Sequence, residues 1–240
     1  MTDDTISKSD QLRQRFHHVQ ERIRKAETSC KRLPGSVELL AVSKTRSSEE
    51  IHALAEQGQR MFGENYLQEA VSKITQLEAL KLSWHFIGRI QSNKTRQIAE
   101  HFDWVHSVAS LKHATRLSQQ RPDNLAPLNI CLQVNTSGES SKDGHSPEEL
   151  KELLPEYQAL DKIQIQGLMT IPAPVEDNSD PRQPFQLLRT LRDQLSTKEK
   201  PLSTLSMGMS NDLEDAICEG ATIVRIGTAI FGPRQYNQSQ

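Results

Sequence analysis

From residue 38 to residue 227 the chain repeats one unit: a short apolar run rich in Val, Ile and Leu, a polar hinge, then a segment with apolar residues at helical spacing. The runs are Glu38 to Lys44, Arg60 to Asn65, Trp84 to Gly88, Trp104 to Val108, Leu128 to Asn135, Ile163 to Thr170, Thr204 to Met209 and Thr222 to Gly227. Near-continuous apolar strands alternating with helices require a parallel sheet covered by helices, because a strand buried on both faces leaves no place for regular polar alternation. Eight such strands predict an α/β fold, a single closed (β/α)8 TIM barrel, over an open doubly wound sheet, although periodicity by itself fits either.

The intervening helices are marked at their starts. Ser47 with Glu50, and Ser146 with Glu149 behind Pro147, read as capping boxes, in which side chains satisfy backbone N–H groups that have no partner inside the helix. Asn65 with Gln68 and Asn211 with Glu214 read as weaker versions. Ile51, Leu54 and Ala55 form one apolar stripe, and Leu67, Val71 and Ile74 another. Before the first strand, Leu12, Phe16, Val19, Ile23 and Ala26 predict an amphipathic helix that closes the outer ring. The 240 residues are expected to form one domain with flexible tails at 1–8 and 235–240. Two polar loops are long, Thr136 to His145 and Pro172 to Arg182, and both follow strands, on the face where barrels keep their sites. The first reads as a lid, the second as a variable loop.

Composition removes several classes of function. Lys and Arg total 29 against 31 Asp and Glu, so a net charge of −2 offers no basic stripe to release counterions from nucleic acid. The polar, acidic N-terminus and the lack of a long apolar run predict neither export nor a membrane span. Cys30, Cys131 and Cys218 are far apart and share no CxxC spacing, which predicts no disulfide framework and no zinc site and fits a reducing cytoplasm. The histidines show no HExxH-like set, so no metal is expected. No long apolar surface helix calls for a partner subunit, which predicts a monomer.

Chemistry concentrates at two places. The first strand ends AVSKT, putting Lys44 at the C-terminal mouth of the barrel; apolar surroundings disfavour an ammonium and leave an amine able to attack an aldehyde, while a strand-end lysine reaching for solvent fits the position equally. The second place is SMGMSNDLEDAI with VRIGTAIFG, at the ends of strands seven and eight, where barrels frequently bind phosphate. Gly208, Ser210 and Asn211 lead into one helix, and Gly227 with Thr228 offers backbone donors from the last strand. The other reading of these residues is that the glycines turn the chain and Ser210 caps a helix. Arg225 lies two residues before Gly227 in an apolar strand and keeps its charge; its partner is either a ring nitrogen of a ligand whose phosphate sits above Gly227, or an Asp or Glu. At a pyridine nitrogen it would hold that nitrogen unprotonated and weaken the ring as an electron sink. Asn65, His85, Asn135 and Met169 stand at other strand ends, Lys142 on the lid, and His85 suits a core or supporting histidine better than a general base.

In order, AVSKT, FGENYLQE, WHFIGRIQSNK, QVNTSGESSKDG, GLMTI and SMGMSNDLEDAICEGATIVRIGTAIFG closely resemble the pyridoxal phosphate homeostasis proteins, the YggS family, also called proline synthetase co-transcribed homologues. The resemblance runs from Leu39 to Arg234; residues 1 to 37 and 172 to 200 match too loosely to interpret. It implies a barrel like the N-terminal domain of alanine racemase and pyridoxal 5′-phosphate held covalently as an internal aldimine on Lys44. It further implies phosphate contacts from Ser210, Gly227 and Thr228, Arg225 at the ring nitrogen, and Asn65, His85 and Met169 as cofactor-lining candidates. Lys142 matches a second lysine of the lid motif that accepts cofactor during transfer. The function implied is a carrier that sequesters the cofactor and supplies it to apo-enzymes, influencing amino-acid and keto-acid balance, with no turnover of its own. Two alternatives stand beside it. A weak amino-acid racemase needs a second acid/base opposite Lys44, supplied in alanine racemase by an added domain and a dimer partner, whereas this chain runs about a dozen residues past its last strand. A cofactor-free Schiff-base aldolase shares barrel, lysine and phosphate cup but gives Arg225 no ring to contact.

Overall fold

The computed structural model describes residues 7–137, 143–173 and 180–233. Its strands are β1 (Glu38–Val42), β2 (Met61–Glu64), β3 (Ser83–Phe86), β4 (Trp104–Val108), β5 (Leu128–Gln133), β6 (Ile163–Met169), β7 (Thr204–Ser206) and β8 (Ile223–Ile226). All neighbouring pairs are parallel, and β8 returns to β1 with Leu40 opposite Arg225 and Ala41 opposite Ile226, so the sheet is a closed barrel. Closure settles the choice that periodicity left open. Each strand ends at or before the last residue of its apolar run. The trailing residues, Ser43 and Lys44 after β1 or Met207 to Met209 after β7, lie at the mouth, where Ser43 N still donates to the Gly63 carbonyl and Met207 N to the Ile223 carbonyl.

Around the barrel lie α1 (Lys8–Ser29), α2 (Ser48–Glu56), α3 (Leu67–Gln76), α4 (Thr95–His101), α5 (Leu111–Gln120), α6 (Pro147–Gln158), α7 (Gln183–Leu195), α8 (Leu213–Cys218) and the single turn α9 (Thr228–Phe231). The helix α1 buries Leu12, Phe16, Val19, Ile23 and Ala26 and packs against α2, α8 and α9, closing the ring as expected. Ser7 and Lys8, read from sequence as tail, cap and open this helix. Arg15 Nε donates to the carbonyl of Ile230, and Arg22 donates to both Glu214 and the carbonyl of Ser210, so α1 also braces the loops after β7 and β8.

The capping expectations divide. Ser47 and Glu50 form the full reciprocal box. Ser146 accepts from Glu149 N, but the Glu149 carboxylate turns to His145 Nδ1 at 3.1 Å instead of closing the box. The two weaker boxes are absent: α3 begins behind Tyr66 and α8 behind Asp212, neither with a side-chain cap. The apolar stripe of α3 is also corrected. Leu67, Ala70 and Lys73 are buried, while Val71 and Ile74 are half-buried. The helix is rotated so that a lysine faces inward, for a reason that belongs to the site.

The cysteine expectation is corrected as well. Cys30, at the end of α1, and Cys218, at the end of α8, are joined in a disulfide with Cα atoms 5.1 Å apart across 188 residues of sequence. No spacing motif can announce a pair that meets solely because two surface helices lie side by side. Cys131 is free and buried on β5, where burial pushes its thiol up to about 12. Among the described residues no helix is long and apolar enough to cross a membrane, and no group of three or more His, Cys, Asp or Glu could hold a metal ion.

Candidate functional site

Lys44 stands two residues past β1 at the mouth, half-buried, between two residues whose backbones are held. On one side the Ser43 carbonyl accepts from Lys73 Nζ at 2.8 Å. On the other, Thr45 adopts a left-handed φ of +63°, which costs a β-branched residue energy, and its N–H donates to Glu69 Oε1 at 2.6 Å. Lys73 ties the two sides together, donating also to Glu64 Oε1 at 2.8 Å and Glu69 Oε1 at 2.5 Å, and Ser43 Oγ adds a bond to Glu64 Oε1 at 2.6 Å. Burial pushes the Glu64 carboxyl above its ordinary range, and the Lys73 ammonium opposes that rise. This network explains the rotation of α3: a fully buried carboxylate at the end of β2 draws the Lys73 ammonium under the sheet. Sequence reasoning missed it. The available signal was the Glu69–Lys73 pair, four residues apart with the acid N-terminal, directly after an unexplained glutamate in a strand.

The phosphate-site candidates come together from two loops. Gly208 has φ +94°, and a Cβ there would lie 2.7 Å from the Ala216 Cβ, so the turn after β7 accepts glycine alone. Ser210 does not cap α8; its Oγ accepts from Ala229 N at 3.3 Å, reaching across to the turn that starts at Gly227 and Thr228. Asn211 has no capping role either, since Asp212 Oδ1 takes the Met209 N–H. Ser210, Gly227 and Thr228 therefore share one corner of the mouth, where backbone N–H groups and a hydroxyl converge.

Arg225 lies beneath that corner on β8, 4% exposed. Its Nη1 donates to Ser206 Oγ at 2.8 Å and its Nη2 to the Thr170 carbonyl at 2.8 Å, and it forms no ion pair with a carboxylate among the described residues. Desolvation lowers it to about 10, with the Asp212 carboxyl opposing, so it remains a cation at neutral pH. Met169 ends β6, fully buried, one residue before the Thr170 that Arg225 holds. Asn65 ends the second apolar run with its Oδ1 buried and without a hydrogen-bond partner among the described residues.

His85 lies deeper. Its ring stacks on Trp104, and both nitrogens are engaged inside the barrel, Nε2 with Ser83 Oγ at 3.0 Å and Nδ1 with His106 Nε2 at 2.9 Å. His106 in turn meets Ser206 Oγ at 2.7 Å. The sequence reading overlooked His106, Ser206 and Thr170: His106 sits in a strand without any motif, and Ser206 and Thr170, though inside SMGMSNDLEDAI and GLMTI, were given no role because only the packed barrel brings them to His106 and Arg225. Lys142 lies outside the described residues.

A family model described as the N-terminal domain of alanine racemase matches residues 12–235. Alanine racemase of Clostridium difficile shares the fold, with a TM-score of 0.71 and 14% identity over 96% of this chain and 59% of that one. The pyridoxal phosphate homeostasis protein of Pseudomonas aeruginosa is 55% identical over 218 residues, 91% of this chain and 94% of that protein, and the Escherichia coli K12 protein of the same name is 47% identical over 226 residues, 92% and 95%. The solved structure of PipY from Synechococcus elongatus with pyridoxal phosphate bound has a TM-score of 0.74 and 38% identity, covering 88% of this chain and all of that one. The fold and site thus place the chain in the class of alanine-racemase-like barrels. Within that class it belongs to the family of the pyridoxal phosphate homeostasis proteins.

Proposed function

We propose that this barrel binds pyridoxal 5′-phosphate through Lys44 and acts as a cytoplasmic, single-domain monomer that holds the cofactor and supplies it to apo-enzymes, without turning over a metabolite. The observation that carries the reading is Arg225. Its buried guanidinium forms no ion pair among the described residues, spends N–H groups on Ser206 Oγ and the Thr170 carbonyl and keeps others of its five to donate to a ligand, and it lies under the corner where Ser210, Gly227 and Thr228 converge. An aromatic nitrogen carrying a phosphate on the far side of its ring fits both requirements. The unpartnered Oδ1 of Asn65 is a further polar group that a bound ligand would satisfy.

When bound, the cofactor supplies an aldehyde that condenses reversibly with a primary amine. The protein's part is positional. Lys44 provides the amine, with the chain on either side pinned by Lys73 and Glu69. Ser210 and the N–H groups at Gly227 and Thr228 take the phosphate. Arg225 donates to the ring nitrogen and keeps it from acquiring a proton, which leaves the ring a poor electron sink and suits storage over chemistry at an α-carbon.

The test is a visible spectrum of wild type and Lys44→Ala after incubation with pyridoxal phosphate, then borohydride reduction and peptide mass spectrometry. A visible band lost in the variant, with a phosphopyridoxyl mass on Lys44, supports the reading. A colourless wild type that cannot be loaded refutes it and favours an aldolase.

A further inference from the structure

A continuous line of hydrogen bonds crosses the barrel interior from Arg225 to the opposite end of the sheet. Arg225 Nη1 meets Ser206 Oγ, Ser206 Oγ meets His106 Nδ1, His106 Nε2 meets His85 Nδ1, and His85 Nε2 meets Ser83 Oγ at the start of β3. The separations are 2.8, 2.7, 2.9 and 3.0 Å. The line joins β8, β7, β4 and β3, and its three middle members, Ser206, His106 and His85, are fully buried.

The direction of the protons in this line follows from Arg225 together with the burial of Ser206. A guanidinium donates and cannot accept, so Ser206 Oγ receives the Arg225 N–H; among the described residues its one other side-chain partner is His106 Nδ1, and donating there is the arrangement that leaves no buried O–H unsatisfied. His106 therefore carries its proton on Nε2 and gives it to His85 Nδ1. His85, accepting there, carries its proton on Nε2 and gives it to Ser83. Each imidazole is left neutral with one donor and one acceptor, both used. A proton added to either ring would set two donors face to face beside the Arg225 cation. The electrostatics agree: burial lowers His85 to about 3 and His106 well below its ordinary value, with the facing His85 ring and Arg225 adding to the effect on His106. The other titratable groups that act on Arg225 are the Asp212 carboxyl, which opposes the lowering, and the Cys131 thiol, held protonated by burial. A second anchor, Arg225 Nη2 to the Thr170 carbonyl, fixes the guanidinium plane.

We infer that the line Arg225–Ser206–His106–His85–Ser83 is a one-way relay of hydrogen bonds that orients Arg225 toward the ring nitrogen of the cofactor, with His106 and His85 as positioning residues locked in the Nε2–H tautomer. The inference rests on the cofactor reading above and adds to it. His85 acts through Arg225 and does not touch the cofactor, and the interior side of the site offers the ring nitrogen no proton. Sequestration without catalysis is then a property of the barrel core as well as of its mouth.

The deciding measurement is ¹⁵N NMR of histidine-labelled protein, first without cofactor, with His85 and His106 assigned by substitution. Both rings are expected to show a protonated Nε2 and a bare Nδ1, unchanged between about pH 5 and 8. A Nδ1–H tautomer or an imidazolium at either position overturns the relay, whether or not the protein takes up pyridoxal phosphate, whereas failure to load sinks the cofactor reading alone. In loaded protein, Ser206→Ala and His106→Leu are expected to weaken cofactor binding about tenfold and to give the visible band a pH dependence that wild type lacks. His106→Gln, which retains a donor and an acceptor, restores the wild-type spectrum. Folded Ser206→Ala and His106→Leu proteins with wild-type spectra and affinity would also overturn the inference.

Discussion

Lys73→Met keeps the apolar stem of the side chain and deletes the ammonium that serves Ser43, Glu64 and Glu69 together. The two carboxylates respond differently. Glu69 is 29% exposed and rehydrates, so its share of the loss is about 1 kcal/mol or less. The Glu64 side chain is 0% exposed, and breaking a buried ion pair from one side costs about 3–5 kcal/mol. For a domain of this size each kcal/mol lowers Tm by about 2–4 °C, so the variant is expected to melt roughly 6–20 °C below wild type. The loss depends on pH, because Glu64 has an escape. Its folded-state pKa is already raised above 4.5, and losing Lys73 raises it further. A carboxyl with a raised folded pKa contributes stability below its unfolded value and loses it as pH rises through the folded value. The deficit of Lys73→Met is therefore largest in mild alkali and shrinks toward pH 4.5. Calorimetric melting of wild type, Lys73→Met, Glu64→Gln and the double variant at both ends of that range measures it. The double variant should recover most of the loss, since a neutral amide needs no counter-ion. A Lys73→Met protein that melts like wild type in mild alkali, or a double variant no more stable than the single one, would refute the account. Cofactor uptake at Lys44 should slow in the same variant, as both backbone tethers of that lysine run through Lys73 and Glu69.

The buried histidines set a second pH dependence with the opposite sign. His85 is lowered from 6.5 to about 3, so below pH 6.5 the unfolded chain binds a proton that the folded one refuses, and stability falls at about 1.4 kcal/mol per pH unit for this group. Urea midpoints followed from neutrality down to about pH 5 should show this slope, and His85→Gln should flatten it. Gly208→Ala combines a φ of +94° with a Cβ 2.7 Å from that of Ala216, and is expected to cost about 1–3 kcal/mol and to weaken pyridoxal phosphate binding more than stability alone explains. Equilibrium dialysis on the folded fraction checks that expectation, and unchanged affinity would argue against the phosphate corner.

Much of the site was legible because it is local in sequence. Lys44 was readable as a strand-end lysine, and Gly208, Gly227 and Thr228 as turn and helix-start residues, because strand–loop–helix order determines which end of a barrel such residues occupy, whereas Ser210 serves no helix start and accepts from Ala229 N instead. The faces of the helices were less so. In α3 the apolar pattern pointed to Val71 and Ile74, but burial of Glu64 outweighed a few methyl groups and brought Lys73 inward. The capping residues show the same limit: Ser47 and Glu50 need nothing beyond their own turn, whereas Glu149 found His145 and Asp212 found the Met209 N–H.

By itself the sequence determined the alternation of strand and helix, the end of the barrel at which the candidate site residues lie and the glycines its turns demand, because each depends on residues within a few positions of one another. The tertiary structure alone decided which distant groups meet. Barrel closure sets Arg225 opposite Leu40 and brings it to Ser206 and Thr170; α1 against α8 joins Cys30 to Cys218; the pairing of β3 with β4 aligns His85 with His106. Such contacts depend on the register of elements far apart in the chain, and in this barrel that register is set by closure and packing and not by any local pattern.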